Sequence, residues 1–271
     1  MCTRRRGFFS WPFFLVFALS AGSALPPVAA QSSASTRLKT SSQSALTIPP
    51  GTMLPARLNQ SVSSRNAKPG QTLTARIMQA VPLPNGQKIP AGAKLAGKIV
   101  SVQSAANATK ASIEFGFDAL LIGNQSIPIV TNLRAIAGFM EVLEARTPQY
   151  TPGFGAPYYW VPTRQIGGDE VYGVGGPVTD PNGDRVGSGV YGGVLVHIRA
   201  HPDSKCPGPA EQDDRLQALW VFSADACGVY GLDHLEIAHA GRTDPVGTIL
   251  LTAEAQQIKL RSGDALLLRI R

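Results

Sequence analysis

The sequence predicts an all-β protein: a small barrel or sandwich with a long Gly/Tyr-rich insertion and a β-rich C-terminal half. Three observations carry that prediction. First, one phrase occurs twice, as Ile48-Pro49-Pro50-Gly51-Thr52-Met53-Leu54 and as Ile89-Pro90-Ala91-Gly92-Ala93-Lys94-Leu95, with Arg57-Leu58 matched in kind by Lys98-Ile99. Pro presets one turn dihedral and Gly supplies the left-handed one, so each phrase reads as a tight turn feeding a strand. Second, apolar residues alternate with polar ones over short runs, the period of a half-buried strand. Third, the 28 Gly and 21 Pro are poor helix-interior residues.

The first 30 residues read as an address. Arg4, Arg5 and Arg6 form a basic start, residues 8–25 are apolar, and Val28-Ala29-Ala30 fits a small-residue cleavage site that would leave Gln31 as the new N-terminus. That is the pattern of a secretory signal peptide. The formal charge of +7 falls to +4 once those three arginines are removed. The remaining cations form no dense stripe in the sequence, so nucleic acid is not an expected partner. The excess suits contact with an anionic envelope surface. No later run is long and apolar enough for a transmembrane helix, so the mature chain is expected to have none.

Residues 31–45 are Ser/Thr-rich and read as a linker. A β module is expected over residues 46–137. Leu73, Ala75 and Ile77 alternate with Thr74 and Arg76, and Ile113, Phe115, Phe117, Ala119 and Leu121 alternate with Glu114, Gly116 and Asp118. Lys68-Pro69-Gly70, Pro84-Asn85-Gly86 and Gly123-Asn124 supply turns between the runs. Residues 138–144 have the composition for two helical turns.

The stretch from about residue 48 to 136 resembles the C-terminal β-barrel domain of TrbI-type conjugal-transfer proteins, the envelope-spanning core components of type IV secretion systems. The likeness rests on residues 48–58 (IPPGTMLPARL), 68–77 (KPGQTLTARI), 88–99 (KIPAGAKLAGKI) and 113–129 (IEFGFDALLIGNQSIPI). It implies a β-barrel scaffold in the periplasm or at the outer membrane. The chain differs from that family in carrying a cleavable leader and a short linker where the family has an uncleaved anchor and a Pro-rich stalk. It therefore reads as a stand-alone module with the same barrel.

Residues 138–193 form the insertion, dense in Gly and carrying Tyr158, Tyr159, Trp160, Tyr172 and Tyr191. Aromatic residues on long loops of a rigid scaffold make a binding surface, and these five are the candidate binding residues. Gly187-Ser188-Gly189-Val190-Tyr191-Gly192 matches a dinucleotide fingerprint in letters, but a strand follows it where a helix is needed. Asp180-Pro181-Asn182-Gly183-Asp184 reads as a hairpin turn, since Arg185 and Tyr191 stand where a calcium loop needs Gly and Glu.

Residues 194–271 read as further strands, with apolar runs around Val194, Trp220, Leu235 and Leu266. The histidines His197, His201, His234 and His239 show no metal-ligand spacing, and no Ser-, Cys- or phosphate-loop signature occurs. No catalytic residue, cofactor or metal is therefore assigned. The expected protein is an exported, non-catalytic binding or structural module of the bacterial cell envelope, periplasmic or extracellular and compatible with outer-membrane association. Its partner would be an envelope protein or polymer, with self-association open. The competing reading is a secreted hydrolase of envelope polymer built on Ser223, Asp233 and His234.

One bond is expected from counting. Cys2 leaves with the leader, so Cys206 and Cys227 remain as an even pair in an oxidising compartment. A disulfide closing their loop of roughly 20 residues would stabilise by about 3 kcal/mol. Denatured, unreduced mature protein should take up no alkylating label, and two labels would refute the bridge.

Overall fold

The computed structural model describes residues 46–106, 109–150, 161–199 and 213–271. The first module is β1 (Met53–Leu58), β2 (Val62–Ser63), β3 (Thr72–Ile77), β4 (Val81–Pro82), β5 (Lys88–Ile89), β6 (Lys94–Gln103), β7 (Lys110–Ile122), β8 (Gln125–Pro128) and β9 (Thr131–Ala137). The single helix among the described residues, α1 (Phe139–Glu144), follows. Then come β10 (Thr163–Arg164), β11 (Glu170–Val171), β12 (Pro177–Thr179), β13 (Arg185–Val190), β14 (Gly193–Ile198) and β15 (Asp213–Ala218). The chain finishes with β16 (Gly228–Tyr230), β17 (Leu235–His239), β18 (Ile249–Glu254), β19 (Lys259–Leu260) and β20 (Ala265–Ile270). The all-β class holds. No helix among the described residues is long and apolar enough to cross a membrane.

The two phrases met in the sequence sit on β1 and β6, which flank β3 in one sheet. The same phrase in fact occurs four times. Gly51, Gly70, Gly92 and Gly263 are each followed at fixed offsets by a leucine (Leu54, Leu73, Leu95, Leu266), a cation (Arg57, Arg76, Lys98, Arg269) and an aliphatic residue (Leu58, Ile77, Ile99, Ile270). Each glycine has positive φ, 84°, 80°, 90° and 105° in turn, which L side chains resist. Each closes a turn through a backbone bond across it, Thr52 to Pro49, Gln71 to Lys68, Ala93 to Pro90 and Asp264 to Arg261, at 3.1–3.3 Å.

The four copies work in two antiparallel pairs, β1 with β20 and β3 with β6. Within each pair the turn glycine of one copy donates its N–H to the aliphatic residue that ends the other. Gly51 donates to Ile270 at 2.9 Å, Gly263 to Leu58 at 3.0 Å, Gly70 to Ile99 at 2.8 Å and Gly92 to Ile77 at 2.8 Å. The registers agree as well: Arg269 stands opposite Met53 as Lys98 stands opposite Thr72. The leucine and the aliphatic residue of every copy fall on the inward face and are 0–5% exposed.

The main sheet has ten strands, in the order β16-β9-β20-β1-β3-β6-β7-β18-β17 with β8 on β7, and it curls into a nearly closed barrel. Its ends meet: β16 touches β17, and the Leu133 N–H donates to the Ala240 carbonyl at 2.8 Å. The strands β16, β17, β18 and β20 from the C-terminal part complete this barrel, because β20 slots between β1 and β9. The interior holds Leu54, Leu73, Ile77, Leu95, Ile113, Phe115, Leu251 and Leu266, with Phe115 and Phe117 edge-to-face at 6.0 Å.

A second, six-stranded antiparallel sheet runs β10-β11-β12-β13-β14-β15 in chain order. It continues past residue 193 to Ala218, since β14 and β15 pair onward from β13 and not with the barrel. The apolar run of residues 216–222 is strand only to Ala218. Trp220 takes φ 55°, which turns Trp220 and Phe222 into a second core. That core lies between the second sheet and the outward face of β9, β20 and β1, which presents Ala135, Ala137, Met53, Ala265 and Leu267.

Buried polar side chains fix the two sheets together. The Gln79 amide accepts from the Trp220 N–H at 2.7 Å and the Val194 N–H at 3.2 Å, and donates to the Val194 carbonyl at 2.7 Å. Gln217 accepts from the Met53 N–H at 3.1 Å. Arg134 donates to the carbonyls of Ala226 and Arg199, both at 3.0 Å. Asp264, fully buried, accepts from the Phe139 N–H at the start of α1 and from the Arg261 N–H. Its carboxyl serves the helix end that Gly138 has no side chain to cap. Burial raises the Asp264 pKa against those two backbone bonds.

Replacing Gln79 by Ala strands two buried N–H groups, those of Trp220 and Val194, while the Val194 carbonyl keeps the Leu219 N–H at 3.3 Å. We expect Gln79→Ala to lower unfolding free energy by about 2–3 kcal/mol in urea titration. A loss below about 0.5 kcal/mol would show that water or a rearrangement replaces the amide.

Candidate functional site

The second sheet is built for close backbone approach. A Cβ on Gly187 would lie 2.2 Å from the Leu195 carbonyl oxygen, and one on Gly189 would lie 2.1 Å from that of Gly173. These glycines belong to the β13 strand and its hairpin to β14, not to a nucleotide loop. Asp180 to Asp184 is the turn between β12 and β13, with Asp180 Oδ1 accepting from the N–H groups of Asn182 and Asp184.

A cleft of about 490 Å³ opens beside this sheet. Val171, Val190 and Val194 line it from the sheet, Met78 from the barrel, Trp220 and Val221 from the turn after β15, and Ala145 and Pro148 from the chain after α1. Polar groups stand among them: Arg146, Thr163 and Gln165. The Gln165 amide nitrogen, in the orientation that satisfies its surroundings, donates to the carbonyls of Trp220 and Val221 at 3.0 and 3.2 Å. It thereby locks the aromatic wall in place. A concave, mostly apolar site with a few placed polar groups can hold an aliphatic or aromatic group and orient its polar end. Val174, 73% exposed, extends the apolar surface at the rim.

Beneath the turn that carries Gln165 lies a buried acid. Asp169 is 2% exposed and accepts from the Ala224 N–H at 2.8 Å. Burial pushes its pKa up to about 6. The Asp225 and Asp180 charges add to the rise, while the Ala224 bond and the Arg199 guanidinium oppose it. Arg199 pairs with Asp180, and the Ser223 hydroxyl donates to Asp225 at 2.7 Å.

Of the candidate binding residues, Tyr158, Tyr159 and Trp160 lie outside the described residues. Tyr172 donates its hydroxyl to Glu170 at 2.9 Å, and that bond raises the Tyr172 pKa. Tyr191 stands at the tip of the β13–β14 hairpin, 92% exposed. Neither of these two lines the cleft, although Val171 and Val190 beside them do. Cys206 also lies outside the described residues. Cys227 is buried and donates its N–H to the Tyr230 hydroxyl at 3.0 Å.

The hydrolase constellation is not brought together by the contacts present. Ser223 bonds Asp225 and sits against Gly167, whereas Asp233 and His234 line a separate cavity with Phe139 and Lys259. His234 has φ 68°, and His239 is engaged by the Thr248 carbonyl and the Thr243 hydroxyl. The cleft residues Met78 and Trp220 are not among the sequence-based binding candidates. They are 142 positions apart and come together in the second core. Comparison with known proteins finds no matching family model, no similar curated protein and no similar solved structure.

Asp169 sets a pH dependence. Its folded pKa near 6 lies above the ordinary 3.8, so the unfolded chain releases this proton first as pH rises. Stability from this group is therefore present below about pH 4 and lost between about 4 and 6. Asp169→Asn should unfold at higher urea than wild type at pH 7, by up to roughly 3 kcal/mol, with the difference vanishing near the acid end of that window. Equal stability of the two proteins at neutral pH would show that the carboxylate is not desolvated.

Proposed function

We propose that the chain is an exported, non-catalytic β-barrel module of the bacterial cell envelope. In this reading the barrel is the structural element and the second sheet is the binding element. The observation that carries it is the cleft of about 490 Å³ beside the second sheet, with Trp220 in one wall and Arg146, Thr163 and Gln165 among its apolar lining. Such a site suits an apolar side chain or acyl group of an envelope protein or polymer that also offers a hydrogen-bonding group. The leader-like first 30 residues support export, and the turn-strand phrases shared in kind with TrbI-type barrel domains support a relation to type IV secretion core proteins. Periplasmic or extracellular residence follows from the same reading.

Two measurements test it together. Cell fractionation should recover the chain in the envelope with Gln31 at its N-terminus. A photo-crosslinking residue at Val190 should then give a discrete adduct in envelope preparations, competed by unlabelled protein, while the same residue at Arg185 gives none. Recovery only in the cytosol with the leader intact would overturn the reading.

A further inference from the structure

A second surface, outside the cleft, carries an unpaired row of positive charge. Arg57 on β1 stands directly opposite Arg76 on β3, and Arg76 stands directly opposite Lys94 on β6. The three side chains leave the barrel on the face away from its core, because Ala56, Ala75 and Leu95 beside them point inward. No ion pair among the described residues involves any of them. Like charges facing each other across neighbouring strands repel and destabilise the pairing. With strands about 4.8 Å apart, the row spans roughly 10 Å.

The row lines a polar depression that Asn59, Thr74 and Ser262 also line. Two of these are tied together: the Asn59 amide donates to the Thr74 hydroxyl at 3.2 Å, which donates to Gln60 at 2.6 Å. Elsewhere on the outside of the same sheet, Met53, Ala135, Ala137, Ala265 and Leu267 of β1, β9 and β20 form an apolar patch packed with the second sheet. The face of the charge row is left to solvent, and Arg76 and Lys94 are exposed on it.

We propose that this row is an anion-binding site for a ligand carrying two or more phosphate groups. Two guanidinium forks and one ammonium, one strand spacing apart, match adjacent tetrahedral oxyanions that each accept several donors. Bound phosphate also reverses the sign of the cross-strand interaction, from repulsion to bridging. Among the described residues, no aromatic side chain on which a base could stack lines the depression, unlike a single-stranded nucleic-acid groove. The phosphates could come from a free polyphosphate or from lipid headgroups at a membrane surface. The site is independent of the cleft, so its test does not depend on the proposal above.

The test is titration calorimetry of the full chain with sodium tripolyphosphate, beside sedimentation with phosphatidylcholine vesicles with and without phosphatidic acid. Saturable tripolyphosphate binding without vesicle binding assigns a free polyphosphate. Vesicle binding that requires phosphatidic acid assigns the headgroup source, whether or not tripolyphosphate also binds. Arg76→Gln and Lys94→Gln should each weaken the observed binding by about tenfold or more. Arg185→Gln, which removes the same charge from the second sheet, should leave it unchanged. Without ligand, Arg76→Gln should melt no lower than wild type, since it relieves repulsion on both sides. Absence of binding in both arms would overturn the proposal, as would equal weakening by Arg185→Gln.

Discussion

The structure depends on one reciprocal contact, made in each of two strand pairs. A glycine N–H at the head of one strand reaches the carbonyl at the foot of its partner, and the partner's glycine returns the bond. The contact requires positive φ at the donor residue, so a side chain there would strain the turn that aims the N–H. Once both ends of a pair are pinned, its register is set. With the register set, Leu54, Leu73, Leu95 and Leu266 all point into the barrel. A slip of one residue would turn every one of them to the outside.

The outward face of the same strands then decides where function can sit. At Met53, Ala135, Ala137, Ala265 and Leu267 of β1, β9 and β20 it is apolar, and the second sheet covers it there. On β3 and β6 it carries Thr72, Arg76, Lys94 and Lys98, all exposed, so it stays wet. The cleft lies at the covered side, where Gly193 brings β14 against Gln79 and Trp220 and where Val171, Val190 and Val194 supply its apolar lining. The charge row arises at the uncovered side. One barrel thus presents two surfaces of opposite character, and neither borrows residues from the other.

Much of the barrel was legible in the sequence, because turn chemistry and alternation are local. The copies at Gly51 and Gly92 were visible through their shared Ile-Pro openings. The copies at Gly70 and Gly263 have the same spacing of leucine, cation and aliphatic residue, but Lys68-Pro69 and Arg261-Ser262 replace the opening, and the likeness passed unseen. The run from Leu216 to Phe222 read as one strand. Nothing local shows that Trp220 will turn at positive φ to meet an amide 141 residues earlier. The cleft was illegible for the same reason, since its walls come from the barrel, the second sheet and the chain after α1. The charge row was hidden because Arg57, Arg76 and Lys94 are scattered in sequence and become neighbours only through pairing.

The place of β20 has a kinetic consequence. β3, β6 and β7 are joined by short connections and can pair as soon as they exist, whereas β1 finds β20 across a separation of 218 residues, Gly51 to Arg269. Contacts so far apart in the chain carry a large loop-closure entropy and slow the search for the native state. Until β20 docks, β1 and β9 each present an open edge. An unfilled slot flanked by two open strand edges is a template for intermolecular pairing. The barrel is therefore most prone to aggregate in the interval before its final strand arrives, and a chaperone acting on it would have to hold apart those two edges.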